Sequence, residues 1–154
     1  MPFKINISEK TGKTYRLELE SEELIGKELH DKIKGEDLLA DLKGYELEIT
    51  GASDKAGFTA MENVEGVGLK KVLLSYGKGM KKRPRKEGKK KRAKNRPKGL
   101  RLRKTVRGKV ISPAISQINL KVLKQGEKKL EEVFPDQNKG KQEAKTEEEK
   151  QKTK

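Results

Sequence analysis

Residues 3–19 read Phe3-Lys4-Ile5-Asn6-Ile7-Ser8-Glu9-Lys10-Thr11-Gly12-Lys13-Thr14-Tyr15-Arg16-Leu17-Glu18-Leu19. Apolar side chains fall on every second position, first in Phe3, Ile5 and Ile7, then in Tyr15, Leu17 and Leu19. Successive side chains of a strand point to opposite faces, so period two over such short runs predicts two half-buried strands. The polar stretch Glu9–Lys13 between them, with Gly12 free to take positive φ, predicts a hairpin turn.

The same alternation recurs along the chain. Tyr45, Leu47 and Ile49 predict a further strand, and the run Leu69 to Tyr76 places Val72, Leu74 and Tyr76 on one face. Lys109 to Ser112 and Ile118 to Lys124 read as two more, with Ile118, Leu120 and Val122 alternating with Asn119, Lys121 and Leu123. Ile25, Leu29 and Ile33 recur every four residues behind Glu22 and Glu23, which predicts a short helix with acids at its positive end. Asp37 as N-cap, then Leu38, Leu39 and Leu42 before Gly44, predicts a second helical turn. The expected fold class is mainly β: a small mixed β-barrel of about six strands with one or two short helices, a basic extended arm and a polar C-terminal tail.

Composition narrows the function. The chain has 154 residues, 41% charged and only 31% hydrophobic, so it cannot all pack into one dense core. The absence of Cys excludes disulfides, thiolate-bound metals and a Cys nucleophile, and a single His excludes multi-His metal sites. The start MPFKINISEK lacks the basic and apolar regions of a signal peptide. The longest apolar runs, such as Val72-Leu73-Leu74, fall far short of the roughly 20 residues a membrane span needs. The expectation is a soluble intracellular protein with no membrane partner.

The net charge of +15 is concentrated in one place. Residues 1–76 carry a net of −4, residues 77–109 a net of +17, and residues 110–154 a net of +2. A single-sign block of this length repels itself and is expected to stay extended until a polyanion neutralises it. Gly77, Gly79, Pro84, Gly88, Pro97 and Gly99 interrupt any continuous helix there, so a basic helix for a DNA groove or a membrane surface is not expected. An extended, Gly-hinged arm suits the irregular backbone of folded RNA. The candidate RNA-binding residues are Lys81, Lys82, Arg83, Arg85, Lys86, Lys89, Lys90, Lys91, Arg92, Lys94, Arg96 and Lys98, followed by Arg101, Arg103, Lys104 and Arg107. Arg contributes bidentate phosphate contacts. The block contains no aromatic residue, so recognition is expected to rest on shape and charge rather than base stacking. Leu100, Leu102 and Val106 alternate with Arg101, Arg103 and Arg107, which predicts a strand with a basic outer face. Reversing these three Arg to Glu is expected to weaken RNA binding without unfolding the body.

Enzyme chemistry finds no footing. Gly12-Lys13-Thr14 matches the end of a phosphate-binding P-loop, but Ile7 stands where the motif requires Gly, inside a predicted strand. Gly51–Gly57 lacks the GxGxxG spacing, His30 is isolated, and no carboxylate pair stands out as an acid–base couple. No catalytic residue, cofactor or small-molecule substrate is expected. A general nucleic-acid-coating protein remains an alternative that the charge block alone would serve.

Two stretches, Lys43–Phe58 (KGYELEITGASDKAGF) and Leu100–Leu123 (LRLRKTVRGKVISPAISQINLKVL), carry a resemblance together with the start FKINIS. Over roughly residues 3–130 the chain resembles the e-type S six family of small-subunit ribosomal proteins of archaea and eukaryotes. The resemblance implies a structural, non-catalytic ribosomal RNA-binding protein, cytoplasmic and in ribosomes, with neighbouring ribosomal proteins as further partners. It rests on Asp54, Lys55, Gly57 and Phe58 in the first motif and on Arg101, Arg103, Lys104, Arg107, Gly108 and Leu120 in the second. The first motif is expected to form a tight loop with Phe58 plugging the barrel and Lys55 within reach of RNA. Residues 1–130, including the basic segment 77–109, are expected to form one domain, followed by a charged tail over 131–154. That tail lacks the clustered Ser of the eukaryotic members, so no regulatory phosphorylation is expected there.

Overall fold

A computed structural model describes residues 2–21, 23–80, 98–135 and 137. The opening hairpin forms as its alternation requires. Strands β1 (Phe3–Ser8) and β2 (Thr14–Leu19) pair antiparallel with Ile5 opposite Leu17 and Ile7 opposite Tyr15. The turn closes through Glu9 N–H to the Lys13 carbonyl at 3.0 Å, with Gly12 at φ +88°.

Five further strands follow: β3 (Lys32–Lys34), β4 (Glu46–Asp54), β5 (Leu69–Leu74), β6 (Leu102–Arg107) and β7 (Ile115–Lys124). Two 3₁₀ turns at Gly35–Asp37 and Ala40–Leu42 and one α-helical turn, α1 (Leu130–Val133), complete the elements. The strands form a five-stranded mixed sheet in the order β2-β1-β7-β4-β3 and a two-stranded sheet β5-β6. β1 and β7 pair in parallel, Ile5 beside Ile118 and Ile7 beside Leu120, and the other pairs are antiparallel. Single bridges join Glu28 to Val110, Ser53 to Thr59, and Ala60 to Arg107, linking the two sheets.

Two apolar clusters result. The larger gathers Phe3, Ile5, Ile7, Tyr15, Leu47, Ile49, Ile118, Leu120 and Val122 from one face of the five-stranded sheet, with Leu24, Leu42 and Tyr45 packed over them. Burying such side chains contributes roughly 1.5–3 kcal/mol each. The opposite face is polar: the Asn119 side-chain carbonyl accepts from both Asn6 Nδ2 and Gln117 Nε2 at 3.0 Å. The smaller cluster, Val64, Leu74, Met80 and Val106, lies under the β5-β6 ribbon.

Two sequence expectations are corrected. The helix predicted from Ile25, Leu29 and Ile33 does not form over the described residues: 23–26 are turn and Ile33 sits in β3. Glu22 lies outside the described residues. The reason is that this backbone bonds elsewhere. Gly26 N–H donates to the Ile111 carbonyl and Leu29 N–H to the Lys109 carbonyl, while Gly26 and His30 take φ of +88° and +73°. The recurrence every four residues reflects burial of Leu29 and Ile33; Ile25 is 42% exposed. The second correction concerns Lys109–Ser112, which makes a single bridge at Val110 rather than a strand. The helical turn expected from Asp37 is two 3₁₀ turns, with Leu38 and Leu42 buried as its pattern requires.

The C-terminal residues that are described pack onto β2. Phe134 stacks on Tyr15 with ring centroids 5.7 Å apart, and Lys13 pairs with Glu131. The Gln137 side-chain amide accepts from Arg16 N–H at 2.7 Å and donates to the Arg16 carbonyl at 2.8 Å, occupying part of the sheet edge. The Tyr15 hydroxyl is buried with no hydrogen-bond partner among the described residues. Such an unpaired group costs about 1–3 kcal/mol. Tyr15→Phe, which keeps the ring stack, is therefore expected to raise stability by about 1 kcal/mol in urea unfolding. A loss of stability would show that the hydroxyl has a partner.

Candidate nucleic-acid interface

The basic segment leaves and re-enters the fold at the ribbon. It begins after Met80, which is buried in the smaller cluster, and returns at Lys98 and Leu100 to start β6. Leu74 at the end of β5 pairs with Leu102 at the start of β6, so both ends of the segment lie at one tip. Lys81, Lys82, Arg83, Arg85, Lys86, Lys89, Lys90, Lys91, Arg92, Lys94 and Arg96 lie outside the described residues.

The remaining candidates divide by environment. Lys55, Lys98, Arg101, Arg103 and Lys104 are exposed, and none has a carboxylate partner among the described residues. Leu102 and Val106 turn into the smaller cluster, which leaves Arg101 and Arg103 on the opposite, solvent side; Lys104 shares the face of Leu102 and Val106 and is exposed as well. Elsewhere the body's cations are more often matched by acids: Lys109 meets Glu28 at 2.8 Å, Lys128 meets Asp41 at 2.7 Å and Lys27 meets Asp37 at 3.8 Å.

Arg107 has a different environment. Its Nε and Nη2 donate to Asp54 Oδ2 at 3.0 and 2.7 Å, and Nη1 donates to the Val67 carbonyl at 3.0 Å. The two side chains are only 14% and 11% exposed. The guanidinium hydrogen bond is the main cause that holds the Asp54 carboxyl below its ordinary range. Arg107 backbone groups also bond to Thr59 and Met61, so this residue joins β4, the 59–61 segment and the loop before β5. The following Gly108 has no room for a side chain, because a Cβ there would lie 1.7 Å from the Gly66 carbonyl oxygen.

The Asp54–Phe58 stretch is the tight turn its sequence predicts. Asp54 N–H donates to the Phe58 carbonyl at 3.0 Å and Gly57 N–H to the Asp54 carbonyl at 2.8 Å. Phe58 is half-buried and belongs to neither apolar cluster, so it does not plug the interior as expected. Instead it lines a cleft of about 320 Å³ with Gly57, Thr59, Arg103, Lys104 and Thr105. The two motifs, with Phe58 and Arg103 45 positions apart in sequence, thus meet on one cleft with two exposed cations on its wall. Sequence reasoning missed Lys70 and Lys71, exposed on β5 beside β6. Their signal was the strand alternation just before the basic block, read there only for its apolar positions.

A polar cluster fastens the ribbon side to the main sheet. His30 Nδ1 lies 2.9 Å from Glu48 Oε1 on β4 and Nε2 lies 3.0 Å from Glu62 Oε1, which Lys78 also meets at 3.3 Å. Hydrogen bonding to Glu62, then to Glu48, raises the His30 pKa above its ordinary 6.5. A raised folded pKa means the stabilisation is complete below the unfolded value and is lost as pH rises through the folded one. His30→Asn, which tolerates the same left-handed backbone, is therefore expected to be less stable than the native chain below the ordinary imidazole pKa and to approach it as pH rises through the raised folded value. An imidazole titrating at or below its ordinary value by NMR would contradict this.

Comparison with known proteins agrees with the resemblance in the sequence. The sequence model of the family described as ribosomal protein S6e matches residues 3–135. The chain is 42% identical over 127 residues to the small ribosomal subunit protein eS6 of Methanococcus maripaludis strain C5, covering 82% of this chain and 90% of that protein. It is 41% identical over 131 residues to the eS6 of Thermoplasma acidophilum, covering 83% and 93%. With the eS6 of Archaeoglobus fulgidus it shares 42% identity over 139 residues, covering 87% and 96%.

Proposed function

The chain belongs to the ribosomal protein S6e family, and we infer that it is a structural constituent of the small ribosomal subunit, binding ribosomal RNA through a basic arm and the cationic face at its root. The observation that carries the RNA-binding part is the placement of that root. The described residues that flank 81–97, the middle of the basic block, lie at the tip of the β5-β6 ribbon, and Lys98, Arg101, Arg103 and Lys104 beside it have no acidic partners among the described residues.

Lys55, Lys98, Arg101, Arg103 and Lys104 would meet phosphates at the root, with Lys70 and Lys71 alongside. Lys81 through Arg96 would extend the contact along the RNA. Arg107 holds the platform in shape. The bridges running from Ser53 through Thr59 and Ala60 to Arg107 support reading the two sheets as one barrel-like body that carries the arm. On this reading residues 1–130 form the ribosomal domain and 131–154 its charged tail, with Leu130 to Phe134 packed back on the body. The protein works in cytoplasmic ribosomes beside neighbouring ribosomal proteins, and its role requires no cofactor and no catalytic step.

The test is filter binding of the full chain to small-subunit ribosomal RNA and to a duplex DNA competitor. Retention of the RNA complex against excess DNA is expected. Equal affinity for both would favour the nucleic-acid-coating alternative.

A further inference from the structure

We propose that the free edge of β5 is a strand-addition site for an extended protein segment of alternating acidic and apolar side chains. This does not rest on RNA binding, and it concerns the open backbone edge of the ribbon rather than the cations of β6.

Among the described residues β5 is an edge strand, paired only with β6. Gly108 N–H donates to the Gly68 carbonyl, while Arg107 N–H turns away to Thr59. In an antiparallel ladder this alternation points the N–H and C=O of Leu69, Lys71 and Leu73 outward from β6. These backbone groups have no partner among the described residues. An open edge with apolar side chains is a template for another strand unless it is covered or blunted.

The side chains strengthen the case. Val67, Leu69, Leu73 and Tyr76 are 48%, 48%, 53% and 57% exposed, whereas among the other large hydrophobics of the described residues only Ile25 is comparably open. Beside the C-terminal end of the strand lies a cleft of about 310 Å³ lined by Met61, Val64, Val72, Leu74 and Tyr76, with room for one anchoring apolar side chain.

Charge selects the occupant. No acidic residue occurs between Gly66 and Met80, and Lys70 and Lys71 stand on the strand itself. A second copy of this chain would set Lys70 and Lys71 against their own kind. RNA has no row of apolar side chains to cover Leu69 and Leu73. An acidic, apolar strand meets both demands, with main-chain bonds supplying affinity and alternate side chains supplying specificity.

The test is an NMR titration of the full ¹⁵N-labelled chain with a synthetic peptide of alternating Val and Glu. Peptides with Ser for Val, and with Lys for Glu, serve as controls. Saturable shifts across Leu69–Leu74 and Tyr76 are expected, with slowed exchange of the Leu69, Lys71 and Leu73 amides. The exposed double substitution Leu69→Ser and Leu73→Ser should weaken binding about tenfold or more while leaving the rest of the spectrum unchanged. Equal binding of the Ser–Glu peptide, or no shift at millimolar peptide, would overturn the proposal. So would a concentration-dependent dimer formed through β5, or an RNA oligonucleotide protecting these edge amides in the peptide's place.

Discussion

Arg107→Ala should destabilise the protein by about 1–3 kcal/mol, the range for leaving a partly buried group without its hydrogen-bond partner. Three hydrogen bonds disappear with the guanidinium, two to Asp54 Oδ2 and one to the Val67 carbonyl. The larger part of the loss is the Asp54 carboxylate, which would remain nearly buried with its charge uncompensated. Arg107→Lys should recover only part of it, since an ammonium cannot direct separate N–H groups to Asp54 and Val67. Asp54→Ala on the Arg107→Ala background should cost less than its own single effect, because the pair acts as a unit. Asp54 titrates below its ordinary value, so its contribution is present above the unfolded pKa and lost as pH falls through the folded one. Urea unfolding of the native chain and these variants, at neutral and at acid pH, checks this. A fully additive pair would show that the contact is incidental.

The second large effect concerns RNA. Reversing Arg101, Arg103 and Lys104 to Glu should leave the fold intact, because all three are exposed and unpaired among the described residues. It should weaken binding to small-subunit RNA and flatten its salt dependence. If about six to ten phosphates are neutralised, native affinity should fall roughly 10³–10⁵-fold between about 50 and 200 mM salt. Each phosphate contact removed should lower the log–log slope by about 0.9. Native affinity in the triple variant would move the binding surface elsewhere. Arg107 is excluded from the set that the sequence suggests, since its reversal would place a carboxylate against Asp54.

That exclusion shows where the sequence stops being informative. Period two in Phe3–Ile7, Tyr15–Leu19, Tyr45–Ile49 and Ile118–Lys124 exposes the main strands directly, because each has one buried and one wetter face. The parallel pairing of β1 with β7 was not legible, since nothing local marks a partner more than a hundred positions away. The false helix at Ile25–Ile33 arose because spacing by four also fits a turn that buries Leu29 and Ile33 against other strands. The sequence reads Arg107 as an RNA contact because it continues the alternation of Arg101 and Arg103 with apolar positions. Its actual partner, Asp54, lies 53 residues earlier, and composition cannot pair them. The motif positions themselves were legible; that they share a cleft was a tertiary fact.

Sucrose-gradient sedimentation of a cell lysate, followed with an antibody to this chain at low and at high salt, tests the central claim most directly. Co-migration with small ribosomal subunits that survives the high-salt wash is the predicted result. Migration at the top of the gradient, or release at modest salt, would contradict a place among the subunit's structural constituents.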